Sequence, residues 1–247
     1  MKNSVPINAS YFAVQAVLDV YHAQEHGFHT YRALRAMMKL FSIKNENFLA
    51  ADKDKLLEVQ SVEEFVEFVQ SLSSKTINFY DDVDFKPITV CDTTPTLLKA
   101  TFLLSHAAKN NVKETVIGST LRDLILHIYP IKVSKKMLSQ KNQYDNNDAS
   151  WKSLGGNGII EHATPMNSLR KIIFNTETVA ELKSALERHH VVVYITKEED
   201  ASIPKELRSE LPQNGFWQER YAYSDIEIHD ELVKFPSKLV SSNNKIG

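Results

Sequence analysis

Glu161-His162-Ala-Thr-Pro165 closes a short apolar run, and Lys197-Glu-Glu-Asp200 closes a second one. A histidine titrates near neutrality and can take a proton from water. Carboxylate oxygens hold hard divalent cations, which neutralise charge developing on a phosphate. These side chains together suit phosphodiester hydrolysis. Arg170 and Lys171 follow the Glu-His pair by one predicted helix, and a guanidinium there suits a phosphate contact.

The order acidic-His-x-x-Pro at the end of a short strand resembles the start of the HNH (ββα-metal) nuclease motif. Val191-Val-Val-Tyr-Ile-Thr-Lys-Glu-Glu-Asp200 resembles its closing strand and helix. The resemblance spans about residues 155–205. It implies that His162 is the general base, that Glu161 and Asp200 bind one Mg2+ or Mn2+, and that Arg170 contacts phosphate. The family's asparagine falls at Val191, whose side chain has no polar atom, with His190 beside it. The competing reading makes His162 a structural histidine and Lys197–Asp200 an ordinary helix start, where acidic residues favour the dipole.

Other sets carry weaker chemistry. Arg122 and His127, five residues apart with a polar residue after the arginine, resemble the signature of the helical HEPN ribonucleases. That resemblance implies metal-free cleavage of RNA. His22 and His26 are four apart and share a helix face, as a zinc pair requires, with Glu25 between them. Two histidines near a helix C-terminus are the plainer account. Cys91 reads as a small buried hydrophobe. Gly155-Gly156-Asn157-Gly158 reads as a turn, because no Lys-Ser/Thr or helix follows directly. Lys132, Lys135 and Lys136 form one basic cluster, and Arg32, Arg35 and Lys39 a basic strip. Each is a solvated face unless a nucleic-acid site lies beside it.

These residues need elements to position them. Apolar periodicity predicts helices over 8–26 and 30–42, with Asn8 or Ser10 capping the first. Residues 43–54 read as a loop. Ser61-Val-Glu-Glu64 is a capping box that opens a third helix. A short strand at 88–91, a helix starting at Thr94-Pro95, and a helix capped by Ser119 complete a helical domain, 1–138. Residues 139–150 are almost free of apolar side chains and read as a linker. Beyond it, Ile159–His162 and Val191–Thr196 are expected to pair as a two-stranded sheet, with helices between them. Thr176 or Thr178 caps the second of those helices. This α/β module covers 151–236, its aromatic closing segment serving as core or interface, and 237–247 read as a flexible tail. The expected class is α+β, mainly helical.

Bulk properties narrow the choices. The chain has 247 residues, 43% hydrophobic and 24% charged, with net charge −2. Residues 1–150 carry 17 basic and 17 acidic residues, and 151–247 carry 12 and 14. Neither half is a polycation, so DNA or RNA binding would need a local patch. No apolar run reaches the roughly 18 residues of a membrane span, and one cysteine excludes an internal disulfide and fits a reducing compartment, hence the cytoplasm. Three functions follow as expectations. The first is metal-dependent nuclease activity centred on His162. The second is a non-catalytic interaction protein, as a homodimer or with a protein partner docking on the helical domain. The third is a HEPN-like ribonuclease using Arg122 and His127.

Overall fold

The computed structural model describes residues 4–23, 27–73, 75–125, 131–144, 158–212 and 215–229. It is α+β and mainly helical. Two compact units divide the chain: Met1–Ile125 with Thr176–Leu182, and Leu126–Asn175 with Lys183–Gly247.

The first unit is built on helices. Strand β1 (Ser4–Pro6) runs into α1 (Ile7–His22), and α2 (Gly27–Met37) continues as a 3-10 turn at Met38–Phe41. α3 (Ala50–Leu57), α4 (Val62–Leu72), β2 (Asn78–Tyr80), α5 (Thr96–Lys109) and α6 (Glu114–Ile125) follow. α1 packs on α5 and α2, and α2 packs on α6. Their shared core includes Ala13, Val17, Leu34, Met37, Phe65 and Leu104, all fully buried. β1 and β2 pair in parallel, Val5 opposite Phe79.

Several local expectations change here. α1 takes its cap from neither Asn8 nor Ser10. The Asp82 carboxylate accepts from the Asn8 and Ala9 amides at 2.7 and 3.0 Å. The predicted loop 43–54 contains the start of α3, whose Asp52 carboxylate accepts from the Leu49 amide at 2.8 Å. The second strand is at 78–80 rather than 88–91. Ser119 lies inside α6, its hydroxyl bonding the Thr115 carbonyl, and caps nothing. Ser61 caps α4 through the Glu64 amide at 3.1 Å, while the Glu64 carboxylate takes the Gln60 amide rather than that of Ser61.

The second unit is built on a sheet of order β3-β5-β4, from β3 (Lys132–Val133), β4 (Gly158–His162) and β5 (Val192–Thr196). β5 runs parallel to β3 and antiparallel to β4. The expected pairing of β4 with β5 is present, but the sheet has three strands rather than two. The third strand, Lys132–Val133, lies within the expected helical domain 1–138. α7 (Lys135–Tyr144) also occupies the first half of the expected linker. The second unit therefore begins at 126, not at 151. The short β3 hides its strand character, because two residues carry no readable alternation.

Between β4 and β5 lie α8 (Met166–Phe174) and α9 (Val179–His189). Thr178 caps α9, its hydroxyl accepting from the Glu181 amide at 3.1 Å. All five β5 residues are buried, because both faces of this central strand are covered. Val192 and Tyr194 pack with Val133 and Met137 on one face. Val193 and Ile195 pack with Ala163, Ile203, Tyr221 and Ile226 on the other. Gly158 has no room for a side chain: a Cβ there would collide with the buried Tyr194 ring. β5 leads directly into α10 (Lys197–Ser202), and α11 (Trp217–Ala222) follows a 3-10 turn at Lys205–Arg208.

Candidate functional site

β4 presents alternate side chains to the two faces of the sheet. Glu161 stands opposite Val193 and points to the face that holds Tyr221. Its carboxylate is engaged on both oxygens. Arg220 donates from Nη2 to Oε1 at 2.8 Å and from Nη1 to Oε2 at 2.9 Å. The Tyr221 hydroxyl donates to Oε2 at 2.8 Å. Arg220 is 1% exposed. Its remaining donors reach the Leu207 carbonyl at 2.6 Å, and the His162 and Ala163 carbonyls at 3.3 and 3.1 Å. Burial, together with the neighbouring Glu161 carboxylate, drives the Tyr221 hydroxyl well above the usual tyrosine range, so it stays a donor.

His162 occupies the last position of β4, opposite Val192, on the other face. Its ring lies 5.7 Å from that of His190, at 50°. His190 is 2% exposed. Burial, and secondarily the charge of His162, depress its pKa from 6.5 to about 3. His190 is therefore neutral at any ordinary pH. Arg170 lies midway along α8 and is partly exposed.

Asp200 sits in the first turn of α10, beyond the opposite end of β5. The antiparallel register pairs Gly158 with Thr196 and His162 with Val192. α10 thus leaves β5 at the Gly158 end of β4, and the Glu-His pair lies at the other. Three strand positions between Val193 and Thr196 span roughly 10 Å. Within α10 it is Glu199, not Asp200, that turns inward. Glu199 is 7% exposed. Its carboxylate accepts from the Ser134 hydroxyl at 2.7 Å and the Thr196 amide at 2.8 Å. The Thr196 hydroxyl accepts in return from the Glu199 amide at 3.1 Å, which completes a capping box.

A divalent cation does not fit Glu161 as it stands. Both carboxylate oxygens are held by a buried guanidinium and a phenol, and a metal would have to displace them. Among the described residues, no three His, Cys, Asp or Glu side chains converge as a ligand group. The residues that sequence reasoning missed are Arg220 and Tyr221. Their signal was weak: a charged residue inside an aromatic segment reads as a surface position.

The remaining candidates are also distributed. Arg122 is exposed on α6, while His127, and likewise Glu25 and His26, lie outside the described residues. So do Gly155, Gly156 and Asn157 and the tail 237–247. Cys91 is exposed rather than buried, and its thiol lies 3.1 Å from the Thr93 hydroxyl. That contact lowers its pKa. Two of the three clustered lysines meet carboxylates: Lys135 meets Glu227 and Lys136 meets Glu198, each at 2.6 Å. These pairs line an open cleft of about 570 Å³ together with Glu199 and Ser202. In the basic strip, Arg32 meets Asp123 at 3.5 Å, and Arg35 lies over the Tyr31 ring at 5.6 Å.

α11 faces two ways. Arg220 and Tyr221 are buried, whereas Phe216 and Tyr223, flanking the helix, are 38% and 70% exposed. The Arg188 guanidinium lies 5.2 Å from the Phe216 ring centre. No family model matches this chain, and no curated protein or solved structure matches it either.

Proposed function

We propose that the chain is a non-catalytic interaction protein with a protein partner. The observation that carries this reading is the state of Glu161. Its carboxylate is committed to Arg220 and Tyr221, and Asp200 stands at the far end of the paired strands. The carboxylate that suits metal binding in the sequence is thus taken up by a buried arginine and a tyrosine of the second unit. Exposed aromatic side chains beside α11 suit protein contact, since tyrosine and phenylalanine are enriched at such interfaces.

One observation favours a second reading. β4 and β5 pair in antiparallel register and β5 runs directly into α10, with Glu-His on the first strand and an acidic run at the helix start. In that reading the chain is a nuclease with His162 as general base and Arg170 on phosphate. Glu161 would hold Mg2+ or Mn2+ only after exchanging Arg220 for the cation, and Asp200 would join it only if α10 left its place beyond the opposite end of β5.

A cleavage assay separates the two. The full chain is incubated with supercoiled plasmid and with single-stranded RNA, in Mg2+, in Mn2+ and in chelator. The interaction reading expects no cleavage of either substrate. Mn2+-dependent nicking that is lost in His162→Ala would replace it with the nuclease reading. Chelator-resistant RNA cleavage lost in Arg122→Ala would move the chemistry to the helical unit.

A further inference from the structure

Glu161, Arg220 and Tyr221 join segments that the sequence keeps 59 or more residues apart. Arg220 alone contacts four groups: the Glu161 carboxylate and the carbonyls of His162, Ala163 and Leu207. A guanidinium withdrawn from water needs both a counter-charge and partners for its remaining donors. Here the counter-charge comes from near the end of β4, and the carbonyl partners from its last residue His162, from Ala163 just after it, and from the Lys205–Arg208 turn. Tyr221 is 1% exposed and packs its ring in the same core as Val193 and Ile195. Its hydroxyl turns to the same carboxylate.

We infer that Glu161 is the fixed counter-ion of a latch, with Arg220 as its bolt, that fastens α11 and the 205–208 turn onto the end of β4. Glu161 is thereby a positioning residue of the second unit and not a metal ligand. The inference rests on the same carboxylate as the proposed function but concerns a different property. A protein that cleaves nucleic acid through other residues would still possess the latch.

The test is a thermal double-mutant cycle on the full chain with Glu161→Gln, Arg220→Met and the pair together, read with and without Mn2+. Glu161→Gln keeps the shape and removes the charge. Each single variant should lower Tm by roughly 6–20 °C, as expected when one partner of a buried pair is removed. The double variant should lose much less than the sum of the two single losses. Mn2+ should leave the wild-type Tm unchanged. If Arg220→Met fails to fold, Tyr221→Phe replaces it, because it removes one hydrogen bond and keeps the ring. Additive losses would overturn the latch. So would a wild-type Tm raised by Mn2+ whose rise disappears in Glu161→Gln while the metal-free Tm is unchanged. Activity is not the readout, so the outcome is independent of the cleavage assay.

Discussion

His190 follows α9 directly and is almost fully buried. Its pKa falls from 6.5 to about 3, chiefly by desolvation. The unfolded chain takes up this proton near pH 6.5, but the folded chain does not until about pH 3. The folded state therefore has its full advantage above pH 6.5 and loses it progressively as pH falls toward 3. Within that window the slope from this one residue approaches about 1.4 kcal/mol per pH unit. Urea unfolding at pH 7, 6 and 5 should show falling stability, and His190→Gln should flatten the fall. An unchanged slope in that variant would assign the acid sensitivity to other groups. Arg220 belongs to the same scale. A buried pair is a weak source of net stability, yet losing one partner costs about 3–5 kcal/mol. That asymmetry is why Glu161 is less available to chemistry than its sequence neighbours suggest.

Among the elements, helix termini separate what local sequence can and cannot supply. Ser61, Thr178 and Thr196 each cap the helix that begins beside them. All three carry the Ser/Thr-x-x-Glu pattern, with Glu64, Glu181 and Glu199 at the fourth position. α1 has no such partner nearby and takes Asp82 instead, 74 residues from Asn8. Asp82→Ala should therefore destabilise the protein by about 1 kcal/mol, the usual worth of an N-cap. It should lower Tm by roughly 2–4 °C. Asn8→Ala, which leaves the backbone amide in place, should have a smaller effect. Thermal unfolding of the two variants compares them directly, and equal losses would mean that the bond from Asn8 Nδ2 to Asp82 at 3.2 Å, not the carboxylate's bonds to the backbone amides, holds the turn. β3 repeats the point. Its two residues become a strand only because β5 accepts them as a parallel neighbour.

At the scale of the whole molecule, positive and negative charge nearly balance. The net charge is −2. Lys135, Lys136 and Arg32, three of the basic residues of interest, each face a carboxylate. Non-specific nucleic-acid affinity comes from cations that release counterions from phosphate. The chain should accordingly bind duplex DNA and single-stranded RNA more weakly than about 10⁻⁴ M at near-physiological salt, the lower edge of ordinary non-specific binding. Fluorescence anisotropy across a salt series measures this. Micromolar affinity with a steep salt slope would reveal a basic face on the assembled protein and favour the nuclease reading. No helix among the described residues is long and apolar enough to cross a membrane.

What the sequence determined by itself was local and periodic. Apolar spacing marked α1, α2, α4, α5 and α8, and β-branched runs marked β4 and β5, because each reports a face that must be buried. The α+β class and the pairing of two strands about 30 residues apart followed from those patterns. Tertiary structure decided the rest. Whether Glu161 is a ligand or a counter-ion depends on which side chain reaches it, and that side chain is 59 residues away. Whether Asp200 or Glu199 turns inward depends on how α10 seats against β5 and Ser134. Where the second unit begins depends on a two-residue strand that exists only in its sheet. A residue type states which bonds a side chain is able to make, and only the packed chain selects the partner.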